Sequence, residues 1–320
     1  MSTSVVLGID IGGTYTKYGI VDRSGNTIFE GQIETGVHPT PETLISALAN
    51  IINENIKSKN NQLDLKGIGV GAPNGNYYTG NIELAPNLPW KGVIQFVGMM
   101  KEKFNLPVVM TNDANAAAQG EMVFGHAREM KDFLMITLGT GLGSGLVVNG
   151  NLIYGHDGFA GELGHVTIEE DGRQCGCGNR GCLETYVSAS GIKRTLFELL
   201  ATETEPSRFW DVSFNSLEAK DITIAANEND PIAIKAFQKT GFLLGKSLAD
   251  TVAHISPKEI FLFGGLAKAG KWIFNPTKAS MEKHLLPIFK DKINIRPSAL
   301  QDKNIAVLGA AALIWNELED

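Results

Sequence analysis

The chain has little cysteine, no run of basic residues and no apolar stretch of membrane-spanning length. Three cysteines are an odd number and nothing marks the chain as secreted, so a disulfide framework is disfavoured. Lys and Arg number 28 against 35 Asp and Glu, a net charge of −7, which argues against nucleic acid as a main partner. A membrane helix needs about 20 consecutive apolar residues, and no window approaches that. The opening M-S-T-S-V-V-L-G-I-D lacks a charged start, a long apolar stretch and a cleavage site, so the expected location is cytoplasmic, with no membrane partner. What remains is an ordinary globular composition over 320 residues. That length is large for one core, and two lobes are the prior.

All three cysteines lie within residues 161–184, G-E-L-G-H-V-T-I-E-E-D-G-R-Q-C-G-C-G-N-R-G-C-L-E. Cys175, Cys177 and Cys182 are spaced C-x-C-x4-C with Gly176, Gly178 and Gly181 between them, so the backbone can turn tightly enough to bring three sulfurs inward. His165, at the end of a Gly-Glu-Leu-Gly turn, is the nearest fourth ligand and completes the Cys3His set that tetrahedral zinc takes. Buried cysteines without metal are the competing reading, but core cysteines are not normally separated by single glycines. A four-ligand site with no open position is structural, so the expected Zn2+ shapes the loop and does no chemistry. It would hold Glu162 and Glu184 in fixed positions while the second imidazole nitrogen of His165 donates a hydrogen bond. Two carboxylates and one N–H aimed at one place suit a neutral ligand covered in hydroxyls.

Elsewhere, one pattern occurs twice. Val5 to Ile9 is a short apolar run that ends in Asp10-Ile11-Gly12-Gly13-Thr14, and an alternating strand, a tight turn and a third strand follow. Phe133 to Leu138 is again apolar, Gly139-Thr140-Gly141-Leu142-Gly143 makes the turn, and Gly145 to Val148, Asn149-Gly150 and Asn151 to Tyr154 complete the copy. Two glycine turns of this kind expose backbone N–H groups to anions, and their repetition suggests a duplicated domain. Between the copies, Pro41 to Lys57 has helical spacing, Leu65 to Gly71 and Leu106 to Met110 are strands, and two prolines hold Asn87 in a fixed loop. Asp113 falls where a strand ends and the helix Ala116 to Phe124 approaches. Asn112 or Asp113 could merely cap that helix, but the carboxyl end of a strand is where open α/β sheets place their ligands. Later come helices at Ser190 to Leu200 and Pro231 to Ile255, with a polar connection at Ala201 to Phe214. The apolar stripe from Ile234 to Val252 suggests a core or a homodimer contact. Glu259 to Phe263 is a buried strand ending in Gly264-Gly265, whose missing side chains would let a nucleotide base stack closely. Ile293 to Arg296 is a further strand and Val307 to Leu318 a closing helix.

With these residues in view the chain resembles the ROK family of sugar kinases and repressors. The likeness rests on L-G-I-D-I-G-G-T at 7–14, N-D-A-N-A-A-A-Q-G-E at 112–121, L-G-T-G-L-G-S-G at 138–145, and G-E-L-G-H with C-G-C-G-N-R-G-C-L-E. It implies an α/β fold of two RNase-H-like lobes of the actin and hexokinase type with a cleft between them. The smaller lobe would hold residues 1–118 and 303–320, and the larger 119–302 with the zinc loop. It further implies that Asp10, Gly12, Gly13, Thr14 and Gly139, Thr140, Gly141, Gly143 grip the phosphates of ATP and that Gly264 and Gly265 meet its adenosine. Asn87, Asn112, Asp113, Glu162, His165 and Glu184 would contact a sugar. Tyr15 stands where family members often carry lysine, so Tyr15 and Lys17 receive no role.

The residues and the resemblance agree on phosphoryl transfer from ATP to a hexose hydroxyl, with glucose the preferred acceptor, Asp113 the general base and Asp10 orienting Mg2+. N-acetylmannosamine, N-acetylglucosamine or fructose kinases of the same family are the alternatives. A sugar-sensing regulator is less favoured, because the first turn begins too early to leave room for a helix-turn-helix and the net charge is acidic.

Overall fold

In the computed structural model, which describes residues 2–58, 62–301 and 304–318, the chain divides into two units, each with its own sheet and core. The first unit takes Met1–Met130, Leu152–Ala160 and Ala299–Asp320, and the second Lys131–Asn151 and Gly161–Ser298. The expected boundary at 302/303 lies outside the described residues. The helix through which the expected boundary at 118 would run stays whole in the first unit.

In the first unit β1 (Thr3–Ile11), β2 (Tyr15–Asp22) and β3 (Thr27–Glu34) precede α1 (Pro41–Ser58) and β4 (Leu63–Gly71). The short pair β5 (Ile82–Glu83) and β6 (Val93–Ile94), α2 (Phe96–Phe104), β7 (Val108–Thr111) and α3 (Asp113–Phe124) follow. The sheet order is β3-β2-β1-β4-β7; β1, β2 and β3 pair antiparallel, and β4 and β7 extend the sheet in parallel. Strand residues alternate between faces. Val5, Leu7, Ile9 and Ile11 of β1 share a core with Leu44, Leu48 and Ile52 of α1 and with Phe96 and Met100 of α2. The opposite face of β1 meets the last helix of the chain. A Cβ on Gly8 would lie 2.1 Å from the Val307 carbonyl oxygen, so the helix rests directly on the strand backbone. With both faces covered, β1 reads as one nearly unbroken apolar run.

The second unit repeats this plan with β8 (Phe133–Leu138), β9 (Leu142–Val148), β10 (Asn151–Leu152), α4 (Ala189–Thr202), α5 (Ala219–Asn227), α6 (Pro231–Ile255), β11 (Glu259–Phe263), α7 (Lys271–His284) and β12 (Asn294–Pro297). Its sheet order, β10-β9-β8-β11-β12, matches the first sheet position for position, with β8, β11 and β12 parallel. Asp230 caps α6 by accepting the N–H groups of Ile232 and Ala233, and Pro231 opens its first turn. Phe237, Leu244, Leu248 and Val252 of α6 are fully buried in the core of this unit. The stripe on which a dimer was expected is therefore occupied within one chain.

Three readings need correction. The strand expected at Asn151 to Tyr154 stops at Leu152, because Tyr154 turns away to stack on Tyr77 at 4.1 Å. Helix α4 runs to Thr202, two residues into the expected polar connection. Helices α2, α5 and α7 were not anticipated at all. Among the described residues, no helix is long and apolar enough to cross a membrane.

The last helix, α8 (Ile305–Glu317), also packs against α3, where a Cβ on Gly309 would sit 1.9 Å from the Ala116 carbonyl oxygen. On an exposed helix Gly→Ala gains about 1 kcal/mol of propensity. Here the clash outweighs it, and Gly309→Ala should cost about 1–3 kcal/mol. Chemical denaturation checks this, and a more stable variant would refute the close crossing.

Candidate active site and metal centre

In the first unit the parallel register aligns Asp10 with Gly71 and Gly71 with Thr111, so the carboxyl ends of β1, β4 and β7 lie side by side. The β1–β2 turn closes with the Gly12 N–H donating to the Tyr15 carbonyl at 3.0 Å. A Cβ on Gly13 would fall 2.3 Å from the Asn87 carbonyl oxygen, so the loop carrying Asn87 lies against the glycine turn. Leu88 and Trp90 anchor that loop in the core, and the Trp90 indole N–H donates to the His38 carbonyl at 3.0 Å. Thr14 is exposed beside the turn.

Directly after β7, Asn112 caps α3 by accepting the Asn115 N–H at 2.7 Å. The capping alternative therefore falls on Asn112, and the Asp113 carboxylate is left for other work. It accepts the Ala114 N–H at 2.9 Å. Asp113 is reachable by solvent yet set deep among protein atoms, and this desolvation raises its pKa against the lowering effect of backbone N–H groups. Burial, then repulsion from Asp113, raise the pKa of Asp10 to about 6. Lys17, given no role from the sequence, stands opposite Asp10 in the β1–β2 register and pulls that value down. Hairpin register was the signal that would have found it.

In the second unit Glu162 precedes a short 3-10 turn, Leu163–His165, and Glu184 lies in another, Leu183–Thr185. One ligand atom from each of His165, Cys175, Cys177 and Cys182 falls within 4.8 Å of all the others. The Cys177 and Cys182 sulfurs are 3.7 Å apart, and Cys175 Sγ is 3.6 Å from His165 Nδ1. Zinc bonds of about 2.3 Å to sulfur and about 2.0–2.1 Å to nitrogen give tetrahedral edges of about 3.5–3.8 Å, so the four groups fit such an ion. The sulfurs are too far apart for a disulfide, whose bond is about 2.05 Å. Nδ1 of His165 faces the thiols, while Nε2 faces Glu162 Oε2 at 3.8 Å.

Glu184 occupies a position the sequence did not reveal. Its Oε1 accepts from Cys175 Sγ at 3.1 Å, and its Oε2 from the Leu142 N–H at 3.4 Å. A Cβ on Gly141 would lie 2.5 Å from Oε2, so this acid joins the cysteine cluster to the second glycine turn. Gly264, with φ of 104°, packs on the end of β8, where a Cβ would meet the Leu138 carbonyl oxygen at 2.5 Å. Gly265 and Gly139 border open space.

The fold and these residues define an α/β protein with a duplicated sheet, a glycine turn in each copy, a pair of carboxyls at the strand ends and a Cys3His cluster that could hold a metal. The sequence profile of the ROK family matches residues 6–317, and the chain belongs to that family. It is 35% identical to a glucokinase of Halalkalibacterium halodurans over 98% of this chain and 96% of that protein. It is 30% identical to a xylose repressor of Bacillus spizizenii over 98% of this chain and 78% of that protein. The solved structure of a ROK family glucokinase from Streptomyces griseus in complex with glucose and AMPPNP superposes with a TM-score of 0.80, at 31% identity, over 97% of this chain and 98% of that one. The α/β sugar-kinase fold expected from the motifs is the fold observed.

If Asp113 and Asp10 interact as described, Asp113→Asn removes a repelling charge and Asp10 should titrate below about 6. Carboxyl-carbon NMR reads this directly, and an unchanged Asp10 midpoint would show that the two groups do not sense each other.

Proposed function

We propose that the protein is an ATP-dependent hexokinase whose preferred reaction converts glucose to glucose 6-phosphate. The observation that carries this reading is Asp113, uncommitted to capping, beside Asp10 and in the same unit as a glycine turn. The glucokinase relative and the glucose and AMPPNP complex support it.

In the proposed reaction the Asp113 carboxylate accepts the proton of a sugar hydroxyl as its oxygen bonds to the γ-phosphorus and ADP leaves. The raised pKa of Asp113 makes it a stronger base than an ordinary surface aspartate. Asn87 and Asn112 would contact one edge of the sugar, and Glu162, Glu184 and Nε2 of His165 its ring hydroxyls. Gly12, Gly13 and Thr14, with Gly139, Thr140, Gly141 and Gly143, would hold phosphates through backbone N–H groups, with Gly264 and Gly265 beside the adenosine. Asp10 would orient Mg2+ through water, and that ion would neutralise phosphate charge. Zn2+ held by His165, Cys175, Cys177 and Cys182 would be structural. The two units would correspond to the two lobes of the family.

The xylose repressor relative keeps a regulator in play, and turnover separates the two readings. A coupled assay over a panel of glucose, mannose, fructose and N-acetylated hexosamines should show ATP-dependent phosphorylation with glucose preferred. Asp113→Asn should lose about 10²–10⁴ in kcat while glucose still binds. Full turnover in that variant would remove Asp113 from the mechanism, and no turnover by the parent on any sugar would reject the kinase.

Metal analysis of the purified protein should find one zinc per chain. Cys177→Ser should lose it and raise the sugar KM, because the loop carrying Glu184 loses its metal. A parent protein without zinc would defeat this structural role.

A further inference from the structure

Arg173 stands at the foot of the cysteine loop. Its carbonyl accepts the Gly181 N–H at 2.8 Å, Gln174 pairs with Arg180 across the loop, and the Cys175 N–H donates to the Asn179 carbonyl at 2.9 Å. Its side chain turns inward and is only 6% exposed, an unusual fate for a guanidinium. Every one of its N–H groups has a partner. Nε and one Nη2 hydrogen form a two-bond fork to Glu198 at 2.8 and 2.7 Å, and Nη2 also donates to Thr195 Oγ1 at 2.8 Å. Nη1 donates to the carbonyls of Thr185 at 2.6 Å and Gly191 at 3.0 Å. The guanidinium lies 4.3 Å from the Tyr186 ring centroid, and the Tyr186 hydroxyl accepts the Arg173 N–H at 3.0 Å.

These bonds reach both ends of the candidate site. Arg173 lies two residues before Cys175. Thr185, whose carbonyl it grips, follows Glu184 and in turn donates through its N–H and Oγ1 to the Cys182 carbonyl. We propose that Arg173 is a positioning residue that, alongside any bound metal, shapes the cysteine loop around its three thiols and sets Glu184 beside them. The part of this inference that concerns sugar rests on the kinase reading; the part that concerns the loop does not.

Lysine has three donors on a flexible stem and cannot reproduce a planar fork that makes five bonds. The test uses the full chain with Arg173→Lys and Arg173→Met. Amide hydrogen exchange over residues 174–184 should accelerate at least about 10-fold, and zinc affinity by competition with a chromogenic chelator should fall about 10–100-fold, the range for partners that orient metal ligands. Sugar KM should rise about 10-fold with a smaller rise in nucleotide KM. Should Arg173→Met fail to fold, Arg173→Lys carries the test. Parent-like exchange, zinc affinity and sugar KM in Arg173→Lys would overturn the proposal. So would sugar and nucleotide KM rising together in step with a lower Tm, the mark of general destabilisation. A parent chain that binds no zinc or phosphorylates no sugar would reject the earlier readings instead, and the exchange of 174–184 would still decide this one.

Discussion

One carboxylate ties the cysteine cluster of the second unit to its glycine turn. Glu184 lies between the Cys175 sulfur and the backbone of the second glycine turn, and Gly141 has no side chain where that carboxylate sits. The glycine is thus demanded by the acid, apart from anything it offers a phosphate. The carboxylate makes the Gly141–Leu142 end of the turn the more acidic one. Gly139 and Thr140, both exposed, form the open end, and Ser190 donates to the Thr140 carbonyl at 3.0 Å.

The two sheets share one strand order, yet the chain has equipped them differently. In the first, β7 runs straight into α3, so a single residue, Asn112, separates strand from helix. In the second, the stretch between β10 and α4 is long and carries the Cys3His cluster, which could hold a metal, with Arg173 and Glu184 bonded within it. The duplicated core supplies two similar turns. The insertion supplies groups that a bare sheet cannot.

Much of this was legible in the sequence because glycine and cysteine leave strong local marks. The two strand–turn–strand copies, the Cys3His set and the stripe of α6 depend on spacing within a few residues, which a single chain displays. The missed helices show the opposite case. The buried face of α7 is Ile273, Thr277, Ser280 and Met281 with Pro276 inside it, so half of that face is hydroxylated and a proline interrupts the pattern. It is stabilised by packing on α6, where a Cβ on Gly241 would lie 2.6 Å from Pro276 Cγ. Helices α2 and α5 are only nine residues each, too short for periodicity to speak. Arg173 was invisible for a related reason, since its partners Thr185, Gly191, Thr195 and Glu198 come together only when α4 packs against the loop.

The acidic pair of the first unit shows why a cap and a candidate base stand next to each other. A helix start leaves backbone N–H groups unpaired, and any acid placed there is drawn into satisfying them. Asn112 takes the Asn115 N–H, so Asp113 engages only its own immediate backbone and keeps a carboxylate that desolvation makes more basic. Asp10 feels that charge and is partly relieved by Lys17 across the strand pair. Burial is the largest influence on Asp10, and together with repulsion from Asp113 it outweighs the attraction of Lys17, so Asp10 is raised to about 6. The first unit therefore holds two desolvated carboxyls at the carboxyl ends of its strands, where a nearby cation would favour their charged forms.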